Sequence, residues 1–248
     1  MKDYNRTPQI VNYLEREDIE LPNLWRFEDE ELKRFSEKNL FNYQVSALKN
    51  FLKFLYIYYE KSGKNKEDTI ELNKEIKKVY DNFEIDEKYF NDLEIDESNK
   101  SNLFEIADNY YQAENNKINY VNFLNRCSFW MATGSGKTLL IVKLIYLLDN
   151  LMERGLIPER NILFLTYNDN LLDNFKKYIN EFNKYSNIKI NVESLKRFLG
   201  GQTKLGERTS INVYSYESTN IVDESGKVQL DFKRYENNGK WYIILKFK

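Results

Sequence analysis

Histidine is absent from this chain of 248 residues. That removes imidazole acid–base catalysis, serine–histidine nucleophiles and imidazole metal sites together, leaving lysine, carboxylates, hydroxyls and backbone groups to carry any chemistry. Cysteine occurs once, as Cys127, so no internal disulfide can form, which fits a reducing compartment. Its place within the apolar run Phe123–Met131 predicts a buried, inert thiol on a strand. No run reaches the ~18 uninterrupted apolar residues of a membrane span, and Met1-Lys2-Asp3-Tyr4-Asn5 has no apolar signal core. A cytoplasmic protein with no membrane partner is therefore expected. Excess charge of one sign is also missing: a net charge of −2 with 31% charged residues gives no overall basic field, so nucleic-acid contact would have to come from a local patch.

What is present allows one core domain with an appendage. At 42% hydrophobic the chain can bury a good core, but it is short for two full nucleotide-binding domains. Residues 1–41 read as a mixed lead-in in which Pro22 breaks any helix begun at Val11. From Asn42, the apolar stripe Tyr43, Val45, Leu48, Phe51, Leu52, Leu55 and Tyr58 predicts a helix within 42–61. Residues 62–118, rich in Lys, Asn, Asp and Glu, read as an inserted segment of short amphipathic helices.

From 119 to 248 the texture becomes α/β. Phe123–Met131 reads as a buried strand and Thr138–Leu151 as a helix apolar on most faces, closed by Gly155 and Pro158. Asn161–Thr166 reads as a strand of the kind that parallel sheets bury on both faces. A helix over about 170–182 and strands at Ile211–Tyr216 and Trp241–Leu245 complete a pattern that implies right-handed crossovers and a parallel sheet.

Between the first strand and its helix lies Met131-Ala132-Thr133-Gly134-Ser135-Gly136-Lys137-Thr138. Gly134 and Gly136 allow backbone conformations closed to other residues, so that successive N–H groups can face an anion. The following helix adds the positive end of its dipole. Lys137 supplies a point charge for β- and γ-phosphates, and the Thr138 hydroxyl is placed to ligate magnesium. Met131 stands where the strict G-x-x-x-x-G-K-[ST] pattern has its first glycine. Out of context Gly-Lys-Thr would read as an ordinary turn; the strand before it and the helix after it supply the context that a phosphate loop needs.

This string resembles motif I of superfamily 2 helicases and translocases, especially the helicase subunits of type I and type III restriction enzymes. The resemblance implies a RecA-like P-loop domain, ATP and Mg2+ as cofactors, and DNA as a partner. It also implies an ATP-binding set of Gln44, Thr133, Gly134, Ser135, Gly136, Lys137 and Thr138, with Lys137 and Thr138 as the catalytic pair. Asn42-Tyr43-Gln44 resembles the element whose glutamine reads adenine, implying bidentate hydrogen bonding by Gln44; taken alone, Gln44 would read as a solvated helix cap. Thr166 to Leu171 takes the place of motif Ia, making Thr166 and Asn168 candidate contacts to a nucleic-acid backbone, although a plain strand-to-helix loop would look the same. Gly200, Gly201 and the Ser215–Ser218 segment sit where further strand-contacting motifs lie, and also read as turn and strand-end residues.

The run Arg234–Leu245 resembles the approach to motif II, where the family's strand ends in Asp-Glu-Ala-His; here Lys246-Phe247-Lys248 follows. The expectation is a partial RecA-like domain, separated from the rest of a split motor and from a modification or nuclease subunit. Loss of a positioned base costs ~10² to 10⁴ in rate, so ATP binding without hydrolysis by the chain alone is expected. The alternative is a nucleotide-binding regulatory or interaction module; a small-molecule kinase is disfavoured by the Gln44 element. Glu217, Asp223, Glu224 and Asp231, and the pairs Lys176-Lys177 and Lys196-Arg197, read as solvated charges.

Overall fold

The computed structural model describes residues 14–15, 19–61, 67–81, 92–94, 114–122, 124–125, 127–129, 131–132, 134–166, 169–194, 210–215 and 241–246. Two compact units divide the chain: residues 1–23 with 50–129, and residues 24–49 with 130–248.

In the first unit, the second half of helix α2 (Asn42–Tyr56, which follows the short helix α1 at Asp29–Lys33) runs on into a π-helical turn, Ile57–Lys61. Helix α3 (Thr69–Asp81) packs against this turn. Its start is set by Asp68, whose Oδ1 accepts the Glu71 N–H at 2.9 Å and so satisfies one of the amide donors a helix leaves open at its first turn. Leu72 and Ile76, one turn apart, are fully buried. Between them Asn73 makes a buried polar bridge: it accepts the Tyr58 hydroxyl at 2.6 Å and donates to the Val121 carbonyl at 2.6 Å. A two-residue antiparallel ladder, β1 (Leu93–Glu94) with β2 (Lys117–Ile118), departs from the helices expected throughout 62–118. It is entered through Asn115 and Asn116 at positive φ, a conformation asparagine tolerates better than most residues.

The strand expected over Phe123–Met131 is not formed among the described residues. Leu124–Asn125 make a turn, Cys127–Phe129 have no regular structure, and Cys127 and Ser128 are exposed. Asn125, Arg126 and Ser128 interrupt the run, and a strand buried on both faces has no partners for such groups. Cys127 is thus an exposed residue off any strand rather than the expected core cysteine, although burial around its sulfur pushes the thiol up to about 11.

The second unit is built on a four-stranded, wholly parallel sheet in the order β4-β5-β3-β6, formed by β3 (Asn161–Thr166), β4 (Lys189–Ser194), β5 (Ser210–Ser215) and β6 (Trp241–Lys246). Ile162, Leu163 and Phe164 are buried in succession, as a central parallel strand requires. At the sheet edge β4 instead alternates, with Ile190 buried between exposed Lys189 and Asn191. Helix α5 (Asp169–Tyr185) turns Leu172, Phe175, Ile179 and Phe182 to the core at spacings of three and four. Each such burial contributes roughly 1.5–3 kcal/mol relative to exposure, and Phe175 stacks on Phe164 with centroids 3.9 Å apart.

Helix α4 (Lys137–Glu153) packs on α5 and is buried over most of its circumference. It closes at Gly155, φ +66, with Leu156 N–H bonded to Leu151 O at 3.0 Å and Gly155 N–H to Met152 O at 2.9 Å. This paired termination needs a left-handed residue, which glycine adopts at least cost. The short helix α1 (Asp29–Lys33) and its flanks contribute Trp25, Phe27, Leu32 and Phe35 to the same core. Arg154 binds them, donating to the carbonyls of Leu24 at 3.0 Å and Arg26 at 3.2 Å while lying over the Phe27 ring. The expected α/β class with a parallel sheet is therefore the one observed. Among the described residues, no helix is long and apolar enough to cross a membrane.

Candidate functional site

The loop at the head of α4 gets its shape from two glycines. Gly134 has φ +81 and Gly136, the N-cap of α4, has φ +75. A Cβ at Gly134 would meet nothing within 4 Å, so glycine is needed there for conformation alone. At Gly136 a Cβ would lie 2.5 Å from Gln44 Nε2, so glycine also permits a close approach. Met131 has no positive φ. A side chain is tolerated at that position, which explains why the loop forms without the first glycine of the strict pattern.

Backbone carbonyls, the lysine and hydroxyls knit the loop together. Ser135 Oγ donates to Ala132 O at 2.6 Å, and Ser135 N–H to the same carbonyl at 3.2 Å. The Lys137 ammonium reaches back to Met131 O at 2.7 Å and Ala132 O at 3.3 Å. Thr138 is buried at the first turn of α4. Left-handed glycines, a helix N-terminus, a lysine able to exchange carbonyls for a stronger anionic acceptor, and an adjacent hydroxyl together fit a nucleotide phosphate chain and its magnesium ion.

Gln44 lies beside this loop in an arrangement that the sequence did not predict. It is only 2% exposed, so it is not a solvated cap. Its Oε1 accepts the Phe41 N–H at 2.8 Å, the side-chain-to-N-cap half of a capping box at the start of α2. Its Nε2 donates to Ser135 O at 2.9 Å, and lies 3.5 Å from Gly136 O. Both ends of the amide are thus engaged with protein. Tyr43, half exposed, donates its hydroxyl to the same Ser135 carbonyl at 2.9 Å and stacks on the exposed Phe41 ring. The sequence placed Tyr43 beside Gln44 but gave it no role, since the pairing spans 92 positions.

Gln44, Gly134, Ser135, Gly136, Lys137 and Thr138 are therefore brought together. Thr133 lies outside the described residues, as do Asn168, Gly200, Gly201, Lys196-Arg197, and Glu217, Asp223, Glu224 and Asp231. Thr166 closes β3, with its hydroxyl buried and without a hydrogen-bond partner among the described residues. Ser215 is buried in β5, its hydroxyl 3.4 Å from Glu193 O. Lys176 and Lys177 line an open cleft of about 680 Å³ in which Glu37, Asp173 and Glu181 alternate with the lysines. That mixture of signs is a solvated face rather than a track for a polyanion.

A family model described as the type III restriction enzyme, res subunit, matches residues 37–245, most of the chain. No curated protein and no solved structure matches.

Proposed function

The chain belongs to the type III restriction enzyme res subunit family, and from this we propose that it is the ATP-binding part of a DNA helicase or translocase subunit of restriction-enzyme type. The observation that carries the proposal is the α4 head, where Gly134 and Gly136 are left-handed and Lys137 and Thr138 open the helix. In this reading the backbone amides from Gly134 to Thr138 and the Lys137 ammonium hold the phosphates, and the Thr138 hydroxyl holds magnesium. Magnesium, when bound, neutralises charge on the phosphate oxygens. Thr133 completes the loop, Gln44 belongs to the adenine side, and Thr166, Asn168, Gly200 and Gly201 are proposed contacts to DNA. Nucleotide binding through this loop is the activity proposed.

Titration of a fluorescent ATP analogue with magnesium, against wild type and Lys137→Ala, tests this reading. Removing a charge-assisted contact costs about 1.5–3 kcal/mol, so the variant should bind roughly 10- to 100-fold more weakly. Equal binding by both proteins, or none by either, would remove the proposal.

A further inference from the structure

Two donors from the start of α2 converge on one carbonyl of the phosphate loop, and the peptide behind that carbonyl joins Ser135 to Gly136. Tyr43 Oη and Gln44 Nε2 each lie 2.9 Å from Ser135 O, and Gln44 is itself fixed by the Phe41 N–H. In a trans peptide the C=O and the following N–H point in opposite directions. Holding Ser135 O toward α2 therefore turns the Gly136 N–H to the opposite face of the loop. Without the latch this peptide could rotate readily, because Gly136 has no Cβ to restrict φ. The rotated form would present a carbonyl oxygen where an anion requires a donor.

On the reading of the loop as a nucleotide-phosphate site, we infer that Tyr43 is a positioning residue, whose phenol, together with the Gln44 amide, aims the Gly136 N–H at the phosphate. The affinity of a ligand that needs one loop conformation falls in proportion to the population of that conformation. Removing one of the two donors, at the strength of an ordinary hydrogen bond, should lower affinity about two- to tenfold. Tyr43 is half exposed and its ring stacks on Phe41, so Tyr43→Phe removes the donor and keeps the ring.

The experiment measures ATP and GTP affinity by competition with the fluorescent analogue, for the full chain carrying Tyr43→Phe, Tyr43→Ala or Lys137→Ala, with melting of each protein without nucleotide. The expected result is that Tyr43→Phe weakens ATP and GTP by the same factor, with unliganded stability lowered by no more than the loss of one hydrogen bond, and that Tyr43→Ala weakens both at least as much. An unchanged affinity in Tyr43→Phe alongside a loss in Lys137→Ala overturns the inference alone. An altered ATP-to-GTP ratio makes Tyr43 a base contact and overturns it too, as does an affinity loss accompanied by a fall in unliganded stability well beyond that of one hydrogen bond. Insensitivity to Lys137→Ala removes the phosphate reading, and this inference with it.

Discussion

Replacing Gly136 with alanine puts the contact between loop and helix α2 to a quantitative test. The new methyl would start 2.5 Å from Gln44 Nε2 and 3.5 Å from Leu139 Cδ1. Leu139 is at ordinary contact distance, so the conflict lies with Gln44. A flexible side chain could normally swing away at little cost, but this amide is buried and bonded at both ends, to Phe41 N–H and Ser135 O. Moving it sacrifices roughly two net hydrogen bonds of about 1 kcal/mol each. Holding alanine at φ +75 adds about 1 kcal/mol of backbone strain. Gly136→Ala should therefore destabilise the chain by about 3 kcal/mol, a large part of the ~5–15 kcal/mol that holds a domain together. In a Gln44→Ala background the methyl has room, and the same substitution should cost only the backbone strain, about 1 kcal/mol. A double-mutant cycle by urea unfolding thus predicts a coupling of about 2 kcal/mol between positions 91 residues apart in sequence from Gln44 to Ser135 and one further to Gly136. Additive costs, with Gly136→Ala equally damaging in both backgrounds, would show that Gln44 does not occupy the space beside Gly136.

The buried Lys143 predicts an unusual alkaline dependence. Burial, opposed by nearby Glu31 and reinforced by Arg34, lowers its ammonium to about 8, although it donates to Arg34 O at 3.1 Å and lies over the Tyr146 ring. Between that value and the ordinary 10.5 the unfolded chain binds the proton more tightly, so stability should rise with pH. The Lys143 contribution from pH 7 to pH 10 should be about 2 kcal/mol, read as the difference between wild type and Lys143→Met, because Cys127, pushed up to about 11 by burial, acts in the opposite direction above pH 9 in both proteins; urea midpoints that change equally in both proteins would refute the assignment. Tyr146, pushed up to about 12 by burial and by Glu31, contributes in the opposite direction only above its ordinary value of 10.0. In the other unit, Asn73→Ala breaks the bonds to Tyr58 and Val121 and should cost about 2–3 kcal/mol in thermal or urea unfolding; a loss below about 0.5 kcal/mol would show the bridge to be immaterial.

How far the sequence revealed the molecule depended on whether a feature was local. The near-continuous apolar run of β3, the three-and-four spacing of Leu172, Phe175, Ile179 and Phe182, and the stop at Gly155 are each set within a few residues, and each was readable. Strand β4 was readable too, through the alternation of Ile190 and Val192 with Lys189, Asn191 and Glu193, but short half-buried strands leave a weak mark and it was not anticipated. The run Phe123–Met131 misled because its hydrophobic content outweighed the placement of its polar residues. A strand buried on both faces cannot accommodate Asn125, Arg126 and Ser128 at whatever positions they happen to fall, and the chain turns at Leu124–Asn125 instead. Lys143, the one lysine buried within α4, was hidden for the opposite reason: its partners, Arg34 and Phe182, come from distant segments.

The loop at the head of α4 shows the same division within a single motif. Of the two glycine positions a strict pattern specifies, only Gly136 has positive φ, as does Gly134, where the pattern specifies no glycine; Met131 keeps an ordinary φ and serves through its carbonyl, which accepts Lys137. The departure from the pattern therefore falls where the backbone makes no demand for glycine. Gly136, by contrast, answers two demands at once, and only one is local. Its φ could be inferred from the turn before a helix, whereas its need for an empty Cβ position arises from Gln44, 92 residues earlier, lodged against it. A motif read as a string records the first demand and cannot record the second. For this reason Gly136→Ala and Tyr43→Phe probe different physics at adjacent peptides: the first displaces the amide that braces the loop, while the second leaves every atom in place except the hydroxyl that shares its task.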